Sequence, residues 1–124
     1  MGFVSAVKKA LVLDFFNFKG RASRSEFWWF QLFVILTEAV FSILIAILPA
    51  VLGNTGAKVG IVLFVILLNG IAIPTVAVTV RRLHDLDRSG RWLLLAGVPI
   101  IGPILLLVWW CTRGSPGPNS YGDA

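Results

Sequence analysis

Long apolar blocks separated by short polar stretches organise this chain. Over residues 3–18, Phe3, Val7, Leu11, Phe15 and Phe18 fall on one helical stripe, with Ser5, Lys8 and Lys9 on the other side. The segment is too short and too charged to span a bilayer. It predicts an amphipathic helix lying in the interface plane, lysines toward anionic headgroups and phenylalanines toward the acyl boundary. A helix packed on the rest of the protein, or a loosely ordered end, is the plainer alternative. Gly20 breaks the pattern, and Ser23 with Glu26 has the spacing of a capping box. There the serine hydroxyl accepts from the Glu26 N–H, and the carboxylate can reach back to the N–H of Ser23. A new helix is expected to start at residue 24.

Residues 24–52 are apolar apart from Gln31, Thr37, Glu38 and Ser42 once past Glu26, longer than the ~20 residues that cross hydrocarbon. Pro49 and Gly53 end this first span, and Gly53-Asn54-Thr55-Gly56 is a turn of the kind that joins antiparallel helices. A second span over 57–80 crosses back, 81–91 forms a basic polar loop, and a third apolar run covers 92–111. Its midpoint, Val98-Pro99-Ile100-Ile101-Gly102-Pro103, cannot be continuous helix. Two courses are open: a kinked span, or a re-entrant hairpin that brings Trp92 and Trp109 to one interface. The turn-rich stretch 112–124 reads as a flexible tail. The expected fold is an all-α integral membrane protein: a small bundle of three hydrophobic segments, the third kinked or re-entrant, preceded by the interfacial helix.

Composition agrees. With 57% hydrophobic and 14% charged residues in 124, a soluble domain this small would leave large apolar patches in water. The net charge of +5 accompanies no groove-reading motif, so nucleic acid is not expected as a partner. Charge instead carries topology: of eleven Lys and Arg residues, five precede Phe27 and four lie in 81–91. Positive segments resist translocation, so the N-terminus and the 81–91 loop are expected on the cytoplasmic side of a multi-pass protein. The tryptophans sit at ends of apolar runs, as interface residues do. Asp14 interrupts the first apolar stretch and no small-x-small cleavage site follows, so the N-terminus is expected to be retained. The single cysteine, Cys111, excludes an internal disulfide, and no His/Cys set suggests a metal; no cofactor is expected.

Two groups of polar residues are candidates for function. Glu38 sits near mid-span, where an ionised carboxylate costs ~2.5–3.5 kcal/mol. Gln31, Glu38 and Ser42 share a helix face, and in an antiparallel hairpin Glu38 lies at the depth of Asn69 and Gln31 at that of Thr75. This intramembrane polar seam is either a neutral Glu38 hydrogen-bonded to Asn69, gluing two helices, or a protonatable group on a transport path. The second group, Arg21, Arg24, Arg81, Arg82, His84, Asp85 and Arg88, reads as a cytoplasmic cluster in which arginines pair with aspartates and hold anionic lipid headgroups. An acid–base pair of His84 and Asp85 would need a nucleophile or oxyanion feature that is absent here, so no catalytic residue is assigned.

The stretches Phe18-Lys19-Gly20-Arg21-Ala22-Ser23-Arg24-Ser25-Glu26-Phe27-Trp28-Trp29, Arg81-Arg82-Leu83-His84-Asp85, Arg88-Ser89-Gly90 and Gly114-Ser115-Pro116-Gly117-Pro118-Asn119-Ser120-Tyr121-Gly122 together resemble the bacterial inner-membrane family typified by YhaH and YhaI, a domain of unknown function. Asp87 stands where that pattern has a small residue, and Arg91 where an aromatic is common. The resemblance implies location in the inner membrane and carries over no substrate or catalytic residue. The reading that follows is a non-enzymatic protein acting by assembly with itself, a membrane-protein partner or anionic lipid. The alternative is an oligomeric transporter or channel subunit that uses Glu38 for proton coupling.

Overall fold

A computed structural model describes residues 2–122, and among them it is helical with no β-strand. The first helix, α1 (Phe3–Lys8), runs on as a π-helical turn over Lys9–Leu13. It stops well short of residue 18, because the widened turn closes at Asp14, whose N–H donates to the Lys9 carbonyl at 2.7 Å. Ala6 and Ala10 are fully buried, and their small side chains let the helix lie directly on the next one. The Phe3 ring meets Trp29 edge-on at 5.9 Å and Phe33 at 6.4 Å. Of the readings open for this segment, the packed helix describes these contacts.

The second element, α2 (Arg24–Asp85), begins where the Ser23 side chain accepts from the Glu26 N–H at 3.2 Å. It comprises two limbs joined at Gly53, whose φ of 65° and ψ of −144° suit glycine and few other residues. The limb 24–52 runs through Pro49 without stopping, and 54–85 is already helical at Asn54, so the reversal is sharper than a four-residue turn. At ~1.5 Å per residue each limb is about 43 Å or longer, ample for a hydrocarbon core of ~30 Å. The limbs return antiparallel: Gly60 faces Ile45, and a side chain there would come within 2.8 Å of its Cγ2. At the other end, the Ala22 N–H donates to the Arg81 carbonyl at 3.0 Å. Residues 81–85, expected in a loop, instead form the last turn of this helix.

A short 3-10 helix (Gly90–Gly97) follows, then a reversal at Pro99–Ile100, where Ile100 takes a φ of 67°. The last helix, α3 (Ile101–Cys111), comes back along it. Trp92 and Trp109 therefore meet edge-on at 5.6 Å, and of the two courses open for 92–111 the chain takes the doubled-back one. Gly102 is required here, since a Cβ would collide with the Leu95 carbonyl.

Burial is inverted relative to a water-soluble domain. The largest fully buried side chains include Arg81, Arg82 and Glu26, while Ile43, Val51, Ile61 and Ile66 are more than half exposed. Only 17% of the most apolar 18-residue stretch of α2 is buried. An apolar core exists, but only near the base of the hairpin, where Phe27, Phe30, Val34, Ile71 and Val78 pack with Ala10 and Ala22.

Candidate functional site

The base of the hairpin holds two linked ion-pair clusters. In the first, Glu26 on the opening turn of α2 faces Arg81 on its closing turn, and the two are in direct contact with side-chain exposures of 2% and 1%. Lys9 reaches Glu26 at 3.0 Å from the π-helical turn, and Asp14 lies 3.6 Å from Arg81 and 3.7 Å from Lys9. Two cations thus meet two carboxylates, which is how charge can be held away from water. Glu26 spends its carboxylate on Arg81 and Lys9 rather than on the N–H of Ser23, so only the serine half of the capping box forms. Lys9 is correspondingly drawn inward, away from the headgroup-facing side expected for it.

The second cluster centres on Asp85. Its Oδ1 accepts from Arg21 Nε at 2.9 Å and its Oδ2 from Arg82 Nη1 at 2.5 Å. Burial works against the charge of Arg82 and lowers its pKa from the usual arginine value, while the Asp85 charge and hydrogen bond pull it back. Two cations on one carboxylate leave an excess of positive charge, and backbone oxygens of the C-terminal segment absorb it. Arg82 donates to the carbonyls of Trp110 and Thr112, and Arg21 to those of Ser115 and Gly117, the last two at 2.6 Å. Residues 112–122 are therefore not the flexible end expected of them; residues 123–124 lie outside the described residues. The Asn119 amide donates to the His84 carbonyl at 2.9 Å, and the Tyr121 ring stacks on the His84 ring at 4.0 Å. Gly114 is held so close to Asp85 that any Cβ would strike the carboxylate.

These contacts reassign most of the expected lipid-facing arginines. Arg21, Arg81 and Arg82 are consumed inside the protein, and Arg88 lies 4.0 Å over the Trp109 ring. Arg24 stays exposed, and among the described residues its side chain hydrogen-bonds only to the Cys111 carbonyl, at 3.4 Å. His84 donates from Nδ1 to the Gly20 carbonyl at 2.9 Å, and both Asp85 oxygens are occupied, so the two do not form a free acid–base pair. The intramembrane seam does not close as expected. Asn69 donates to the Val65 carbonyl and Thr75 to that of Ile71, each within its own helix. Among the described residues no hydrogen bond joins Glu38 to Asn69 or Gln31 to Thr75. The reason is local: a polar side chain in an apolar helix can satisfy itself on the carbonyl four residues back without a partner helix. Ser42, one turn beyond Glu38, is exposed and makes no side-chain hydrogen bond to another helix among the described residues.

Sequence reasoning did not name Lys9, Asp14 or Glu26 as site residues, and it carried Asn119 and Tyr121 only within the motif of the family resemblance. A pairing of α2's two ends would have placed Glu26 against Arg81, since each directly flanks its apolar run, Glu26 before Phe27 and Arg81 after Val80. No spacing signal marks the tail residues.

Residues 15–123 match the model of a family described as Protein of unknown function (DUF805). The chain is similar to inner membrane protein YhaI of Escherichia coli (strain K12), 38% identical with 92% of this chain and 90% of the relative covered. Inner membrane protein YhaH of the same organism is also 38% identical, over 88% and 87%. The uncharacterised protein YiiR, again of Escherichia coli (strain K12), is 36% identical over 86% and 84%. No solved structure matches.

Proposed function

The chain belongs to the DUF805 family, and from that premise we propose that it is a multi-pass protein of the bacterial inner membrane, non-enzymatic, acting through assembly or anionic-lipid binding, with its N-terminus cytoplasmic. The observation that carries this reading is the inverted burial. Leu, Ile and Val side chains cover the outside of the hairpin, whereas arginines and a glutamate fill its base. In water such a surface would aggregate; in hydrocarbon it is the low-energy arrangement. Two of the relatives are named inner membrane proteins. The positive segments at both ends of α2 gather at one end of the hairpin, and positive-inside behaviour then favours the cytoplasm for that end. The committed state of His84 and Asp85 supports a role without catalysis.

Single-cysteine labelling in intact cells tests the arrangement on a Cys111→Ser background. Asn54→Cys, at the tip, is expected to react with a membrane-impermeant maleimide added outside, and Ser120→Cys only with a permeant one. Ready labelling of Ser120→Cys from outside overturns the orientation. Chain that is monodisperse in buffer without detergent overturns the membrane reading itself.

A second reading, the oligomeric proton-coupled transporter or channel subunit, has one observation in its favour: Glu38 is half-buried and has no hydrogen-bond partner among the described residues. Vesicles containing Glu38→Gln decide it. Loss of proton flux present with the parent protein supports transport, and equal flux discards it.

A further inference from the structure

Docking of the C-terminal segment on α2 creates a cleft of about 420 Å³ at the helix start, walled by Arg21, Ser23 and Arg24 on one side and by Arg113 and Ser115 on the other. The volume falls within the ~300–1,000 Å³ usual for small-molecule sites. We propose that this cleft is a phospholipid site, which takes the phosphate of an anionic lipid between Arg24 and Arg113 and lays one acyl chain along the groove of Trp28 and Trp29. The proposal rests on the membrane reading above and adds a binding site to it.

Three features of the cleft point to an anion. Its one carboxylate, Asp85, is already committed to Arg21 and Arg82. Arg24 and Arg113 have no carboxylate within ion-pair distance among the described residues, so two guanidiniums face the opening uncompensated. Arg24 opens the first turn of α2 at this wall, next to the Ser23 cap that takes the Glu26 N–H, and a long helix adds partial positive charge at its start. Guanidinium suits phosphate oxygens because its planar fork can offer two parallel donors.

A second cavity points to an amphiphile rather than a free anion. A groove of about 250 Å³, almost wholly apolar, is lined by Ser25, Trp28, Trp29 and Leu32 on the same helix. Ser23 lines the polar cleft and Ser25 the apolar groove, and their hydroxyls lie 3.1 Å apart, so the two spaces adjoin. Arg24 precedes Trp28 by one turn, about 6 Å along the axis. With indoles at the headgroup boundary, the arginines sit where a lipid phosphate sits and the groove where its first methylenes run. Arg21, pinned by Asp85 and the tail carbonyls, does not contact the ligand; it holds the Ser115–Gly117 wall in place.

Native mass spectrometry of the full chain, released from nanodiscs of equal phosphatidylcholine and phosphatidylglycerol, reads retained lipid directly. Parent protein is expected to retain phosphatidylglycerol preferentially. The pair Arg24→Ala/Arg113→Ala is expected to weaken that retention by about tenfold or more, the scale of one lost hydrogen bond to a charged group. Arg91→Ala, which removes one exposed charge elsewhere, is expected to change it little. Both arginines are exposed, and circular dichroism of the pair verifies that it remains folded. Equal retention of the two lipids, or equal loss in the Arg91→Ala control, overturns the site. Soluble glycerol phosphate that displaces the lipid at comparable concentration assigns the cleft to a free phosphate and overturns the lipid half. Failure here in a chain that still requires detergent leaves the membrane reading standing, whereas solubility without detergent removes both.

Discussion

Replacing Glu26 by Gln keeps the size of the side chain and removes the charge that Arg81 meets at the base of the hairpin. Arg81 is 1% exposed and cannot turn to solvent, and its Nε and Nη2 atoms already lack partners among the described residues. The remaining carboxylate, Asp14, lies at 3.6 Å from it. Two unit charges 4 Å apart interact by about 4 kcal/mol at an effective dielectric of ~20, so Asp14 offsets part of the loss. Breaking a buried pair by removing one partner costs about 3–5 kcal/mol, and with Asp14 retained the lower end, about 3 kcal/mol, is expected. The other cation on Glu26 provides an internal contrast. Lys9 is 31% exposed, so Lys9→Ala is expected to cost under about 1 kcal/mol. Both numbers are accessible by titrating the protein from mild detergent into sodium dodecyl sulfate and following tryptophan emission, since Trp110 packs on Phe27 at 5.1 Å beside the pair. Replacing both partners, Glu26→Leu with Arg81→Met, is expected to recover most of the stability lost in the single variant, because no unpaired charge is left behind. A Glu26→Gln cost no larger than that of Lys9→Ala would refute the assignment of this pair as the principal tie between the ends of α2.

Two further substitutions probe how closely the parts approach. Gly60→Val would drive a branched side chain into Ile45, already within 2.8 Å of an added Cβ, and is expected to cost about 1–3 kcal/mol by overpacking; the same detergent titration measures it. Gly114→Ala puts a methyl into the Asp85 carboxylate, so the tail is expected to detach from Arg21 and His84. Limited proteolysis reads this as faster cleavage after Arg113, with the helix content of α2 unchanged by circular dichroism; an unchanged cleavage rate contradicts the docking.

The sequence alone determines the helical class and the need for lipid. Blocks of Leu, Ile and Val longer than a bilayer core, with Gly53 between them, have one low-energy conformation in hydrocarbon, in which each backbone N–H is satisfied within its own segment. The Ser23 cap belongs to the same category, because a side chain and an N–H three residues apart need no other part of the chain. What only the tertiary structure decides is the fate of the charges. Arg81, Arg82 and His84 share a composition that reads as a solvated basic loop, yet Glu26, 55 residues away from Arg81, and the tail, about 30 residues beyond Arg82, draw them inside. Periodicity cannot express such pairings, since it records which face a residue occupies and not what arrives opposite. The same limit explains why Glu38 and Asn69, expected at one depth, share no hydrogen bond among the described residues: depth places two groups at one level, and only the rotation of each helix decides whether they meet.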